Sequence, residues 1–191
     1  MGTGSSGSAA KRRRPRAPRV AVLRIGHRPG RDPRLSTHVA LVARAFGAER
    51  MYLHPPDPHV AESVEGVAAR WGGSFRVLPA PSWKEVVRSE RGPVVHLTMY
   101  GTPLARLLPR LARARSVLLV VGGAKVPPAI YGAATYNVSV GSQPHSEVAA
   151  VAVALERLRG LPGARGFPGA RQRIVPTARG KTVARIGERS G

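Results

Sequence analysis

The spacing of apolar and polar positions predicts alternating strands and helices between residues 19 and 160. Short apolar or β-branched runs, typical of strands, stand at 20–25, 50–54, 75–78, 93–97, 116–121 and 135–140. Helices are predicted at 36–46 and 58–71, after a capping box of Ser82 and Glu85, from Thr102 and Pro103 onward, and at 144–159. This alternation predicts an α/β fold with a mostly parallel sheet and helices on both faces.

The run 116–121 is continuously apolar, as expected for a central parallel strand that is buried on both faces. In such sheets, ligands bind in the loops beyond the carboxyl ends of the strands. Three loops have a suitable composition: HLTMYGT (96–102), VGGAKVPPAIYG (121–132) and VGSQPHSE (140–147). We therefore expect any small-molecule site at these loops.

Both ends of the chain differ in composition from its middle. Residues 1–18 are rich in Gly and Ser and then in Arg and Pro, which predicts a disordered basic tail. Its basic run 11–16 fits a nuclear localisation signal or a phosphate-binding arm equally well. Residues 161–191 predict a second basic tail, mostly flexible, with one short element near 173–175. One folded domain, 19–160, is expected between the tails.

The formal net charge of +21 points to a polyanionic partner. The two tails together carry eleven of these positive charges, so about ten remain on residues 19–160. Nucleic acid is the commonest intracellular polyanion. The chain contains no cysteine, which excludes disulfides and thiolate-held zinc and fits a reducing, cytoplasmic location. The longest apolar run, 148–155, is too short to span a membrane, and since no apolar segment follows the charged N-terminal residues, we expect no signal peptide.

Several well-known site signatures are absent from the sequence. There is no G-x-x-x-x-G-K-[ST] and no G-x-S-x-G, and the one G-x-G-x-x-G match, GTGSSG (2–7), lies in the N-terminal tail with no strand before it. The best metal-ligand cluster is HPPDPH, with His54, Asp57 and His59, but its prolines favour a stiff surface turn. We expect no metal site.

Four segments resemble, in order and spacing, the archaeal tRNA 2′-O-methyltransferases that act on cytidine 56 of the TΨC loop. They are RIGHRPGRDPRLSTHVALVARAFGA (24–48), VHLTMYG (95–101), VGGAKVP (121–127) and NVSVGSQPHSEVAAVAVALERL (137–158). That family belongs to the SPOUT class, whose C-terminal strands and helix form a trefoil knot. The resemblance covers about residues 19–160 and implies tRNA as the substrate, S-adenosyl-L-methionine as the cofactor and this knotted fold.

In SPOUT enzymes the loops of the knot form a bent cleft for S-adenosyl-L-methionine. The resemblance assigns this role to Leu97, Gly122, Gly123, Ala124, Lys125, Val126, Val140, Gly141, Ser142, Gln143, Pro144, His145, Ser146 and Glu147. The glycines would let the backbone approach the ligand with φ above zero, and the apolar members would cover the adenine faces. Simple capping of the last helix is an equally good explanation of Glu147. Ala124 departs from the family, where an acidic residue is expected.

The resemblance also suggests how the ribose hydroxyl loses its proton. In related ribose methyltransferases, an Asn…Arg pair in the first helix supplies an Arg that assists this step. Here HVALVAR places His38 at the Asn position and Arg44 at the Arg position, and His38 departs from the pattern. Arg34 and Arg24 are rival candidates. Phosphate contact or a salt bridge with Asp32 is the alternative for each arginine.

The last helix is apolar on nearly every side, because 148–155 contains only Val, Ala and Leu. The resemblance implies a homodimer in which such helices pack together, and burial inside one chain is the alternative. Two other functions also fit the charge. One is a non-catalytic basic RNA-binding module, and the other is a SPOUT methyltransferase that acts on another RNA site.

Overall fold

In the computed structural model, the described residues are 17–31, 33–123, 126–161 and 166–186. In chain order the elements are β1 (Arg19–Ile25), α1 (Pro33–Ala45), β2 (Arg50–His54), α2 (Pro58–Trp71), β3 (Arg76–Pro79), α3 (Trp83–Ser89), β4 (Val94–Pro103), α4 (Leu104–Leu111), β5 (Ser116–Gly122), α5 (Ala129–Ala133), β6 (Tyr136–Ser139), α6 (Glu147–Arg159), β7 (Gln172–Val175) and β8 (Thr182–Arg185). The predicted alternation of strands and helices is confirmed.

Six parallel strands form the main sheet, in the order β3-β2-β1-β5-β4-β6. Helices α1, α2, α4 and α6 pack on one face, through a core that includes Val39, Val64, Leu111 and Val151. Helices α3 and α5 cover the other face. Strand β5 is buried on both sides, as its continuous apolar run predicts.

Three local features differ from the sequence-based expectation. Helix α5 was not predicted, because it is a single short turn after two prolines. Thr102 pairs with Val138 in the sheet, so α4 begins one residue after Pro103 and has no side-chain cap. Ser82 occupies the N-cap of α3, but its side chain makes no capping hydrogen bond. The predicted capping hydrogen bond of Ser82 is therefore wrong, although the helix begins where expected.

Strands β4 and β6 pair irregularly. Val138 of β6 is the partner of both Leu97 and Thr102, so residues 98–101 leave the ladder and return to it. A Cβ atom on Gly101 would lie 2.3 Å from the backbone nitrogen of Val138, which shows how closely this excursion passes β6. The excursion is one of the loops for which the sequence predicted ligand binding. It lies in the region where the resemblance implies the knot.

The C-terminal segment forms an antiparallel hairpin of β7 and β8 that packs on the end of α2. Gly72 and Gly73 have φ angles of 76° and 86°, and a Cβ on Gly72 would meet the backbone nitrogen of Ala170 at 2.6 Å. Only glycine permits this approach. Gly73 donates a hydrogen bond to the carbonyl of Pro168, at 2.8 Å. The short element expected near 173–175 is β7, whereas β8 was not predicted because its sequence lacks a strong strand pattern.

Residues 1–16 of the predicted basic tail lie outside the described residues, so that prediction stays as it is. Within the part of the chain that is described, no helix combines the length and apolarity needed to cross a membrane.

Candidate functional site

A cleft of about 450 Å³ opens at the carboxyl ends of β4, β5 and β6. This is the edge of a parallel sheet where ligands generally bind. Its walls come from the excursion within β4, the end of β5, the start of α5 and the loop that enters α6. Leu35, in the first turn of α1, closes one side. The cleft therefore joins the three loops that the sequence singled out.

Most of the predicted cofactor-binding residues line this cleft. They are Leu97, Gly122, Gly123, Val126, Val140, Pro144, His145, Ser146 and Glu147. Gly141 and Ser142 line a neighbouring pocket on the α4 and α6 side instead, and Gln143 is exposed and lines neither. Ala124 and Lys125 lie outside the described residues. The structure thus brings nine of the fourteen together.

The conformational reason given for the glycines is wrong. Gly122, Gly123 and Gly141 all lack a positive φ, so other residues could adopt their backbone conformation. Gly122 is nevertheless closely packed, because a Cβ there would lie 2.2 Å from Cγ1 of Val126 and would have to displace that side chain. A Cβ on Gly123 or Gly141 would meet no atom within 4 Å. Gly122 thus differs from Gly123 and Gly141 in how closely other atoms pack around it, and not in its backbone conformation.

A polar cluster on the α5 side of the cleft was missed by the sequence analysis. His96 Nδ1 lies 2.9 Å from Oδ1 of Asn137, and its ring meets Tyr131 edge to face with 4.8 Å between centroids. The hydroxyl of Tyr131 lies 3.0 Å from that of Thr98. Burial lowers the pKa of His96, which favours the neutral ring. These residues had no recognisable sequence pattern, since they come from three separate elements.

A buried ion pair joins β1 to the helix that begins at the cleft. Arg24 Nη2 lies 2.9 Å from Oε1 of Glu147, and the two side chains are 1% and 8% exposed. Arg24 also donates a hydrogen bond to the carbonyl of Ile25, at 2.6 Å. Ser146, whose hydroxyl accepts from the Val148 amide, is the N-cap of α6. Ser146 therefore caps the helix, while Glu147, in its first turn, is engaged in the ion pair with Arg24.

The loop after β1 is held by a second buried polar contact. His27 Nδ1 lies 2.7 Å from Oγ of Ser36 in α1, and its Nε2 lies 2.8 Å from Oδ2 of Asp57. Asp57 is also the N-cap of α2, accepting from the amide of His59. The hydrogen bond from His27 is the main cause of the lowered pKa of Asp57. His27 therefore ties the loop to both α1 and α2.

The HPPDPH motif separates into unrelated contacts. Asp57 caps α2, His54 Nδ1 lies 2.8 Å from the carbonyl of Ala80, and His59 faces Glu62 across 3.7 Å at the surface. Among the described residues, no group of three or more His, Cys, Asp or Glu side chains is placed to hold a metal ion.

The three catalytic candidates lie in different turns of α1. Arg34 is exposed in the first turn, next to Leu35 of the cleft wall, and His38 is exposed one turn farther on. Arg44 is far from the cleft, because α1 runs away from the carboxyl edge of the sheet. Its Nη2 donates to the carbonyl of Gly72 at 2.6 Å, and its guanidinium stacks over Phe167 at 4.7 Å. Burial lowers the pKa of Arg44. None of the three lines the cleft, and Arg34 is the one that stands next to a lining residue, Leu35.

Sequence similarity to one family of enzymes extends over most of the chain. Residues 71–184 match the family model described as tRNA ribose 2′-O-methyltransferase, aTrm56. The tRNA (cytidine(56)-2′-O)-methyltransferase of Archaeoglobus fulgidus is 52% identical over 164 residues, which cover 86% of this chain and 97% of the relative. The enzyme of the same name from Thermococcus kodakarensis is 51% identical over 175 residues, covering 87% and 97%.

Solved structures establish the fold independently. The SpoU methyltransferase AviRb from Streptomyces viridochromogenes, in complex with AdoMet, aligns with a TM-score of 0.53 at 19% identity, covering 75% of this chain and 60% of that one. The TrmH/SpoU tRNA modifying enzyme of A. aeolicus aligns with a TM-score of 0.53 at 14% identity, covering 75% of each chain. The predicted SPOUT fold is confirmed. With relatives matched over nearly their whole length, the chain belongs to the tRNA ribose 2′-O-methyltransferase family.

Proposed function

We propose that this protein transfers a methyl group from S-adenosyl-L-methionine to the 2′-hydroxyl of a tRNA ribose, at cytidine 56. The observation that carries the proposal is the match to enzymes of this name over 97% of their length at about half identity. We propose that the reaction takes place in the cleft at the carboxyl edge of the sheet. Charge supports the substrate, because a protein of net charge +21 attracts RNA phosphates.

The cleft has the chemistry that S-adenosyl-L-methionine requires. Apolar side chains of Leu97, Val126 and Val140 line it and can cover the faces of an adenine ring. Backbone at 98–101, where β4 leaves its ladder with β6, and in the loop 141–146 can offer amide and carbonyl groups to the edges of that ring. When bound, the cofactor supplies a methyl group that its sulfonium centre makes electrophilic. The protein positions and desolvates the reacting groups.

Arg34 is the side chain best placed to act on the ribose hydroxyl. It stands exposed in the first turn of α1, beside Leu35 of the cleft wall. A guanidinium there would stabilise the developing alkoxide and would also attract the neighbouring phosphate. The contacts of His27 with Ser36 and Asp57 hold both ends of the loop that leads into α1. Arg34 thus sits on an anchored element, while Arg44 supports packing at the other end of the helix.

We also propose a cytoplasmic homodimer, with α6 at the interface. One chain leaves a stripe of α6 exposed, formed by Ala149, Val153 and Arg157 at helical spacing, and Val153 is 42% exposed. A pocket beside this stripe is lined by Leu104, Val140 and Val153. A second copy would cover these apolar atoms. Light scattering of the purified protein should give twice the chain mass, and a monomer at micromolar concentration would refute the dimer.

Labelled S-adenosyl-L-methionine and an unmodified tRNA transcript test the reaction directly. We expect one methyl group per tRNA, with a 2′-O-methyl-dependent primer-extension stop at cytidine 56. A cytidine-to-deoxycytidine change at that position should abolish transfer, because it removes the acceptor hydroxyl. Binding of tRNA without transfer would favour the non-catalytic RNA-binding module, and a stop elsewhere would favour another RNA site.

Arginine variants of α1 test the role of Arg34. Arg34→Ala should lower kcat by roughly 100-fold or more, because one preorganised charge is lost from the transition state. Arg106→Ala, which removes an exposed arginine from α4, is the matched control and should leave kcat within about twofold. Equal kcat values for Arg34→Ala and the wild-type protein would exclude Arg34 from the chemistry.

A further inference from the structure

A second and larger groove, of about 680 Å³, lies at the opposite edge of the sheet from the cofactor cleft. Its walls are the C-terminal ends of α1, α2 and α6 and one side of the β7–β8 hairpin. Every strand of the main sheet runs away from this groove toward the cleft, so the groove is separate from the proposed place of methyl transfer. Its size therefore calls for a separate explanation.

The groove is both basic and aromatic. Of the described residues that line it, three are arginines (Arg44, Arg159 and Arg173) and none is acidic. Its floor includes Phe46, Trp71 and Phe167, all half-buried, so aromatic rings remain partly accessible. Single-stranded RNA is commonly bound by this combination, in which guanidinium groups contact phosphates and aromatic rings stack on unpaired bases.

The side chains of the three arginines differ in the contacts they make within the protein. Arg44 donates to Gly72 and stacks over Phe167, and Arg159 donates to the carbonyl of Pro18. Arg173 is exposed on β7, and within the described ranges its side chain makes no hydrogen bond, ion pair or ring contact, although its backbone pairs with Ala184. One guanidinium is therefore available for an anion outside the protein, at the rim of an apolar floor. Ile174, which also lines the groove, is 64% exposed and lengthens that floor.

The two sites are joined by two helices. Helix α1 begins beside the cleft at Leu35 and ends in the groove at Arg44, and α6 begins at Glu147 and ends at Arg159. Thirteen helical residues span about 20 Å. That is less than one turn of a nucleic-acid duplex, about 34 Å in the B form. Measured along these helices, the two sites are thus closer together than one duplex turn.

We infer that the groove is a second contact site for tRNA, which holds backbone phosphate and an unpaired base away from the methylated nucleotide. The inference rests on the proposed function in taking tRNA as the substrate. It assigns the C-terminal hairpin a role in substrate binding. The methyl-transfer cleft alone would select a ribose, whereas two contacts about 20 Å apart also select the fold of the RNA around it.

The test compares Arg173→Glu with Arg179→Glu in the full-length protein. Both variants change the charge equally on the same hairpin, but Arg179 lies in its turn, outside the groove lining. We expect Arg173→Glu to bind tRNA about tenfold more weakly, because a phosphate contact becomes a repulsion. The slope of log affinity against log salt should fall in magnitude by about one. Arg179→Glu should lose no more than about twofold, and Arg173→Lys should stay within about threefold of wild type.

Three further readouts separate the possible explanations. S-adenosyl-L-methionine affinity and kcat at saturating tRNA should be unchanged in Arg173→Glu, since the cleft is intact. Equal losses in the two glutamate variants would overturn the inference, because they would report only net charge. A change in oligomer mass confined to Arg173→Glu would also overturn it, by assigning the groove to a second copy of the chain.

The binding measurement distinguishes a failure of this inference from a failure of the proposed function. Binding is measured without turnover, so a protein that binds tRNA but transfers no methyl group still reports on the groove. In that case a tenfold loss confined to Arg173→Glu would support the inference while the enzyme assignment fails. A wild-type protein that binds no tRNA would refute both.

Discussion

Replacing Asp57 with asparagine tests whether the buried contact with His27 stabilises the fold. The change keeps an amide oxygen that can cap α2, since Asn and Asp are comparable N-caps. It removes the negative charge that lies 2.8 Å from Nε2 of His27, where the two side chains are 0% and 7% exposed. A hydrogen bond to a charged group contributes about 1.5–3 kcal/mol. We expect Asp57→Asn to lower the free energy of unfolding by about this amount at pH 7.

The matched control makes the same chemical change at the surface. Glu62 faces His59 across 3.7 Å, with side chains 72% and 92% exposed, so Glu62→Gln should change the free energy of unfolding by less than about 0.5 kcal/mol. Urea unfolding followed by circular dichroism measures both variants. Equal stability of Asp57→Asn and Glu62→Gln at pH 7 would refute the reasoning.

The pH dependence of the same variant provides a second check. The pKa of Asp57 is lower in the folded protein, chiefly because of the hydrogen bond from His27. A lowered carboxyl pKa contributes stability above the unfolded value, near pH 4, and this contribution is lost as the pH falls through the folded value. The gap between wild type and Asp57→Asn should therefore be full at pH 7 and narrow below about pH 4. A gap that widens in acid would contradict the assigned cause.

Three further predictions concern the cleft. Gly122→Ala should lower the free energy of unfolding by about 1–3 kcal/mol in urea titration, because its new Cβ must displace the side chain of Val126 in the cleft wall. Gly141→Ala, with no atom within 4 Å of the new Cβ, should lose much less, and equal stabilities of the two variants would remove the packing argument. Glu147→Gln should cost about 3–5 kcal/mol of unfolding free energy, because it breaks a buried ion pair; a loss below about 1 kcal/mol would contradict that. Because burial lowers the pKa of His96, this residue should contribute stability above about pH 6.5 that is lost as the pH falls. His96→Gln should therefore flatten the dependence of unfolding free energy on pH below about pH 6.5. An unchanged dependence would exclude His96 as its source.

The candidate site was partly predictable from the sequence. Glycine-containing loops after apolar runs identified the cleft, because the carboxyl ends of parallel strands meet at one edge. Arg44 shows the limit of this reasoning. Its position in the first helix fitted a motif, but a helix between parallel strands runs back toward their amino ends. The last turn of α1 therefore cannot reach the cleft, whereas Arg34 in the first turn stands next to Leu35, which lines it.

The sequence by itself determined the succession of strands and helices, the buried central strand and the three ligand loops, because these depend on local apolar periodicity. It also determined the basic charge. Only the tertiary structure decided the strand order, the pairing of Val138 with two parts of β4, and the contact of Arg24 with Glu147. Those features join residues far apart in the chain, and no local pattern encodes which of them meet. The groove beside the hairpin is of the same kind, because it forms only where three helix ends and β7 come together.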